Sequence, residues 1–319
     1  CVSFAAYAKK KLLTSIKREN GVETDSMSKE LLFFSLPLLV STILGLVMTW
    51  TDTLMLGYFK TPDVVGLYNA ALPLANLIPI VLGSMNFLYV PIASQLYSRN
   101  LMEEIKRNYA TLTKWTFSLT LPLFLIMFLF PETVIDILFE ARYIQAGIAL
   151  QILALGMFIH TFSGPNGVTL VTIGKTRLLM WTSLIGAILN IVLNFLLIPS
   201  FGIIGAAVAS ASSLALINIL KSTSLYILYK IHPFTKNYIK PILLSVLLVL
   251  VIFTAVTNLF VIITIWILVL VFGLFSVAYG LSILITKSFD KEDIAMLLEI
   301  EKMVGVDLTV IKNLLKRFL

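Results

Sequence analysis

Leu178-Leu179-Met180-Trp181-Thr182-Ser183-Leu184-Ile185-Gly186-Ala187-Ile188-Leu189-Asn190-Ile191-Val192-Leu193-Asn194-Phe195-Leu196-Leu197-Ile198 is a run of 21 residues without a charge. At about 1.5 Å per residue, such a helix crosses the roughly 30 Å hydrocarbon core of a bilayer. Its apolar residues are continuous, whereas a membrane strand shows about ten alternating residues. Asn190 and Asn194 interrupt it one helical turn apart. The run reads as a membrane-spanning helix with hydrogen-bonding groups on one side.

Seven more stretches fit the same measure, so the expected spans are 31–57, 65–96, 112–130, 145–163, 178–198, 202–228, 241–260 and 262–286. Pro37, Pro73, Pro79 and Pro91 predict kinks and tilt in the first two, which are longer than a crossing needs. The less apolar Pro131–Ile144 stretch predicts a short interfacial helix. Composition agrees. Of 319 residues, 59% are hydrophobic and 13% charged, and mean hydropathy is +0.97. Ordinary soluble domains carry about 25% charged residues. A water-soluble enzyme, a disordered chain and a collagen are excluded, and the expectation is an all-α polytopic membrane protein of about eight helices.

Cys1 is the sole cysteine, which excludes an intramolecular disulfide and a CxxC metal site. His160 and His232 are too few for a histidine-based centre, so no metal and no cofactor is expected. Cys1–Tyr7 resembles the end of an apolar element, and the chain is expected to be the C-terminal part of a longer one.

Basic residues sort the loops into two sides. Segments 8–30, 97–111, 164–177, 229–240 and 287–319, with flanking Lys114 and Lys221, hold 22 of the 24 Lys and Arg. Lys60 and Arg142 alone fall on the other side. Basic residues concentrate in cytoplasmic loops, so both termini are expected in the cytoplasm. The net charge of +7 then reflects this asymmetry and an anionic inner leaflet, and it calls for no nucleic-acid partner. In the tail, Asp290, Glu292 and Asp293 suit a helix start. Leu308, Ile311, Leu315 and Phe318 then recur at helical spacing among Lys312, Lys316 and Arg317. Such a helix lies on the inner membrane surface or packs on the cytoplasmic loops.

Catalytic motifs are missing. Gly174-Lys175-Thr176 matches the end of a phosphate-binding loop, but Thr169 stands where its first glycine belongs and no strand precedes it. The short exofacial loops hold no histidine or paired acids for hydrolytic chemistry. Polar residues inside the spans stand out instead. Ser41 or Thr42, Gly45, Thr49 and Asp52 recur at spacings of three and four in the first span. Asn76, Pro79, Gly83 and Asn86 do so in the second, and Ser183, Ala187, Asn190 and Asn194 in the fifth. The sixth carries Gly202, Ala206 and Ser210, then Asn218 and Lys221.

Polar groups avoid lipid, so these faces turn toward protein or water. Each has a plain alternative. Asn190 and Asn194 suit hydrogen bonds to a neighbouring helix, and Gly202, Ala206 and Ser210 suit close helix packing. Asp52 sits near an exofacial end where water reaches it, and Lys221 is close enough to the interface to snorkel. His160 reads as a satisfied polar residue.

The stretch Thr51-Asp52-Thr53-Leu54-Met55-Leu56-Gly57, with Val65-Gly66-Leu67-Tyr68-Asn69-Ala70, resembles the start of the second lobe of Wzx-type polysaccharide flippases. These belong to the multidrug/oligosaccharidyl-lipid/polysaccharide exporter superfamily. Arg142-Tyr143, Ala146 and Leu150-Gln151-Ile152-Leu153 are similar to the stretch opening that family's tenth helix, although Glu140-Ala141 departs from its usual glycine. Asn190–Pro199 followed by Gly202-Ile203-Ile204-Gly205-Ala206-Ala207 resembles its eleventh and twelfth helices.

The resemblance implies two pseudo-symmetric lobes around a cavity and transport by alternating access. On that basis 1–30 ends a preceding helix and links the lobes, and 31–228 is a six-helix C-terminal lobe. Residues 229–286 add two helices and 287–319 form the cytoplasmic tail. The implied partners are the N-terminal lobe, membrane lipids and a lipid-linked oligosaccharide. A phosphate-bearing cargo needs cations and hydrogen-bonding groups in a low-dielectric path. The expected pathway residues are Asp52, Asn76, Asn86, Arg142, Asn190, Asn194 and Lys221. Lys221 would attract the head group, Asn86 and Asn190 would meet sugar hydroxyls, and Arg142 would stand near the exit. The alternatives are a cation-coupled drug exporter of the same superfamily, with Asp52 carrying the ion, and a glycan polymerase or ligase.

Overall fold

A computed structural model describes residues 24–233 and 265–285, with single positions 245, 248, 251, 252, 254, 256, 258 and 293. Its helices are α1 (Thr24–Phe59), α2 (Pro62–Ala75), α3 (Ile80–Ser98), α4 (Met102–Leu129) and α5 (Pro131–Leu138). They continue as α6 (Gly147–Phe162), α7 (Asn166–Thr172), α8 (Thr176–Phe201), α9 (Ile203–Tyr229) and α10 (Ile265–Ile285). A 3-10 turn covers Ala141–Ala146, and the described residues contain no strand. Six helical stretches among them are long and apolar enough to cross a membrane, and the protein is an all-α polytopic membrane protein. The expected span 241–260 and the amphipathic tail helix lie largely outside the described residues.

Two sequence expectations are corrected. The span at 65–96 is not one kinked helix but two, α2 and α3, separated by a turn at residues 76–79. Pro79 has no N–H to continue the ladder and its ring crowds the preceding turn, so α2 ends at Ala75, capped by Asn76, whose N–H bonds Leu72 O at 3.1 Å. Segment 164–177 is not simply a loop, because it contains α7. Gly164 (φ +70°) makes the bend before α7, where a side chain would collide with Thr113. The interfacial helix expected at Pro131–Ile144 is α5 followed by the 3-10 turn.

Helix α8 packs along α1 on one side and α9 on the other, while α9 also packs on α6 and α4 on α6 and α3. Because lipid is as apolar as leucine, such helices associate through close contact of small residues rather than by hiding apolar surface. Gly156 of α6 meets Ala211 of α9 so closely that a Cβ would stand 2.7 Å from its Cα. Gly186 of α8 likewise accommodates Ile217 of α9. Larger side chains fill the centre: Leu56, Tyr68, Phe117, Phe124, Leu150 and Ile198 belong to one buried cluster. Phe124 stacks on Phe158 with centroids 4.0 Å apart.

The α8–α9 turn is tight. Gly202 adopts φ +55°, and Lys60 at the end of α1 donates to the Pro199 carbonyl at 2.9 Å, capping α8. The small-residue ridge of α9 divides its work. Gly205, not Gly202, is the close approach, because a Cβ there would lie 2.5 Å from Leu197 O. Ser210 instead turns to the site described next.

Candidate functional site

Ser41, Gly45, Thr49 and Asp52 lie on one face of α1, and this face forms one wall of a cavity of about 310 Å³. Asn76 from the α2–α3 turn, Ser183 of α8 and Ser210 and Lys221 of α9 complete its polar lining, with Met157, Leu214 and Ile217 between them. The Ser41 and Ser183 hydroxyls meet at 2.8 Å and tie α1 to α8 within it. Ser210 and Lys221 are eleven residues apart on α9, about 16 Å along the helix axis. The cavity therefore carries an acid toward one end and a base toward the other.

Asp52 is 2% exposed, and burying its carboxyl is costly unless its oxygens are hydrogen-bonded. Four donors converge on it. Tyr68 Oη donates to Oδ2 at 2.6 Å, and Ser210 Oγ donates to the same oxygen. Asn194 Nδ2 donates to Oδ1 at 2.7 Å and Asn190 Nδ2 at 3.3 Å. Asn190 also reaches Ser210 Oγ at 3.3 Å. Both asparagines are fully buried behind the carboxylate, and their Oδ1 atoms have no hydrogen-bond partner among the described residues. The carboxylate itself is fully supplied with donors, whereas each amide keeps an oxygen whose acceptor capacity is unused. The described residues contain no group of three or more His, Cys, Asp or Glu suited to a metal, so any cation here would rest on mixed oxygen donors.

A second polar knot holds α7. Asn166 Nδ2 donates to Asn218 Oδ1 at 3.1 Å and to Ser222 Oγ at 3.2 Å. His160 Nδ1 lies 3.0 Å from Asn218 Oδ1, so it is a partnered polar group. Tyr89 Oη meets Thr169 Oγ1 at 3.1 Å. One turn beyond Asn218 on the same face of α9, Lys221 points into the cavity.

The seven residues singled out from sequence thus divide. Asp52, Asn76 and Lys221 line the cavity, and Asn190 and Asn194 support Asp52 from behind. Asn86 lies on α3, away from this lining, with a buried Oδ1 that has no described partner. Arg142 is on the surface, 3.0 Å from Glu140, with its guanidinium 4.9 Å from the Tyr143 ring. Tyr68, Ser41 and Ser210 earn larger places than the sequence suggested. Tyr68 is fully buried, and a tyrosine so placed needs a partner for its hydroxyl, which Asp52 supplies.

A bundle of membrane-crossing helices folded around a polar cavity is the architecture of a polytopic integral membrane protein. The MatE family model matches residues 37–196, half of the chain, and the chain belongs to the MatE family. It is 28% identical over 202 residues to an uncharacterized membrane protein, MJ1068, of Methanocaldococcus jannaschii, covering 63% of this chain and 40% of that protein. It is 28% identical over 215 residues to the probable low-salt glycan biosynthesis flippase Agl15 of Haloferax volcanii, covering 67% and 45%. It is also 28% identical over 208 residues to the probable multidrug resistance protein NorM of Bacillus thuringiensis, covering 60% and 44%. The chain spans less than half the length of these relatives. A crystal structure of MATE in the straight conformation shares the fold, with a TM-score of 0.52, 18% identity, and 86% of this chain and 69% of that one covered.

Proposed function

We propose that this chain is one helical lobe of an exporter that carries lipid-linked oligosaccharides across the cytoplasmic membrane by alternating access. The observation that carries this reading is the cavity with Lys221 at one end and hydroxyl and amide groups along its wall. A phosphate-linked sugar matches that arrangement, since an ammonium answers the phosphate and short polar side chains answer the sugar hydroxyls. Relatives named as flippases favour the same cargo. In this reading the 22 basic residues mark the cytoplasmic side, so both termini are cytoplasmic and Lys221 faces entering cargo. Asn190 acts by holding Asp52, not by touching sugar, and Arg142 and Asn86 stand outside the path described here. A second lobe would close the cavity, with residues 31–228 as this lobe and 229–286 as additional helices.

A second reading, cation-coupled export of a drug-like compound, is favoured by a separate observation. Asn190 and Asn194 both touch the Asp52 carboxylate through Nδ2 and keep an unpartnered Oδ1, so turning the two amides over would bring oxygen donors to a hard cation at Asp52. The cation would draw the α1, α8 and α9 side chains inward and thereby bias the lobe toward one conformation. Lys221 separates the readings. In the intact protein, Lys221→Ala should insert at normal levels and lose at least tenfold of glycan export, with Lys221→Arg retaining more. Unchanged export at equal expression rejects Lys221 as the contact to cargo.

A further inference from the structure

The turn Gly174-Lys175-Thr176 has no nucleotide-loop frame, yet it borders a groove of about 820 Å³ against the start of α1. Gly174 (φ +74°) carries the backbone over open space, with no atom within 4 Å of where a Cβ would stand. Lys175 and Arg177 follow, both exposed. Neither forms an ion pair with a carboxylate among the described residues. Arg177 places its guanidinium 5.4 Å from the centroid of the Phe33 ring on the facing helix. Stacking of this kind leaves the N–H edges of the guanidinium free to meet a planar or tetrahedral anion. Phe33 and Leu31 are 65% and 60% exposed, so the floor of the groove is apolar and open along α1.

We propose that this groove seats one monoanionic phospholipid, its phosphate between Lys175 and Arg177 and an acyl chain along Leu31, Phe33 and Phe34. Three features select this occupant. Two cations against Glu30 leave one net positive charge on the lining, which matches a phosphodiester with an uncharged head group. The apolar floor gives a soluble phosphate nothing to bind. Lys175 and Arg177 also belong to the basic-rich side, where anionic lipids concentrate and each nearby cation adds attraction. The groove shares no lining residue with the Asp52–Lys221 cavity, so this lipid is a resident clamp between α1 and the α7–α8 turn rather than cargo. The inference is independent of which substrate is exported.

Native mass spectrometry of the intact protein in detergent tests it, with phosphatidylglycerol, phosphatidylethanolamine and phosphatidylcholine of identical chains titrated separately. The first phosphatidylglycerol should bind about tenfold more tightly than phosphatidylcholine. The K175Q/R177Q variant should lose that preference, whereas the charge-keeping K175R/R177K variant and the surface control Lys106→Gln should keep it. Equal binding of the three lipids by the unmodified protein overturns the proposal, whatever the variants do. A preference for phosphatidylethanolamine also overturns it, since Glu30 would then be reading an ammonium. Preference that survives K175Q/R177Q places the lipid elsewhere.

Discussion

Asn194 and Asp52 are 142 positions apart in sequence, and their side chains meet at 2.7 Å, both shielded from solvent. This contact joins α8 to α1, and Tyr68 and Ser210 bring α2 and α9 to the same carboxylate. One acid thus holds four helices. That arrangement makes Asp52 a structural hub as well as a candidate functional group, and the two roles can be separated.

Asp52→Ala should destabilise the protein by several kcal/mol, because it strands the buried donors of Tyr68, Asn190 and Asn194 at about 1–3 kcal/mol each. Asp52→Asn keeps the volume and removes the charge, so its melting temperature should fall much less. If a cation rests there, sodium chloride should raise the melting temperature of the unmodified protein relative to choline chloride, and Asp52→Asn should abolish that rise. A rise that persists in Asp52→Asn removes Asp52 from any cation site.

Glycine 205 tests the packing. In Gly205→Ala the new methyl meets the Leu197 carbonyl backbone at 2.5 Å, which cannot rotate away, so α8 and α9 must separate. A loss of about 1–3 kcal/mol is expected. Gly167→Ala, whose methyl would find only side-chain atoms at 3.7 Å, should melt close to the unmodified protein.

Asp293 lies at 0% exposure, with Oδ2 2.6 Å from Lys114 Nζ and Oδ1 accepting from Trp115 Nε1 at 2.8 Å. Asp293→Asn takes one carboxylate away from the buried Lys114 ammonium and weakens its hydrogen bond. A clear loss of stability is expected in thermal or denaturant unfolding. Glu103→Gln, which breaks an exposed i,i+3 pair with Lys106, should change stability by no more than a few tenths of a kcal/mol.

Topology follows from the basic-residue asymmetry. In a Cys1→Ser background, cysteines placed at Ser98 or Asn108 should resist membrane-impermeant thiol reagents in intact cells. A cysteine at Thr61 should react. Labelling of position 108 from outside would reverse the orientation on which the glycan-entry reading depends.

The helical class was legible in the sequence because a bilayer leaves backbone groups few ways to be satisfied. Length and apolar continuity therefore identify a run such as Leu178–Ile198 without any tertiary information. The face Ser41, Gly45, Thr49 and Asp52 was legible for a similar reason, since 3.6-residue periodicity places these side chains together whatever they meet. Whether such a face meets lipid, water or another helix depends on long-range packing, which spacing does not encode. Only the tertiary structure sent Asn190 and Asn194 behind Asp52, gave Tyr68 its acceptor, and put Lys221 at the far end of the same cavity. It likewise left Arg142 on the surface with Glu140 and Asn86 on the α3 packing face. Pro79 sat between these two kinds of information. Its chemistry announced a disturbance in the second span, and only the tertiary structure showed the disturbance to be a break between α2 and α3.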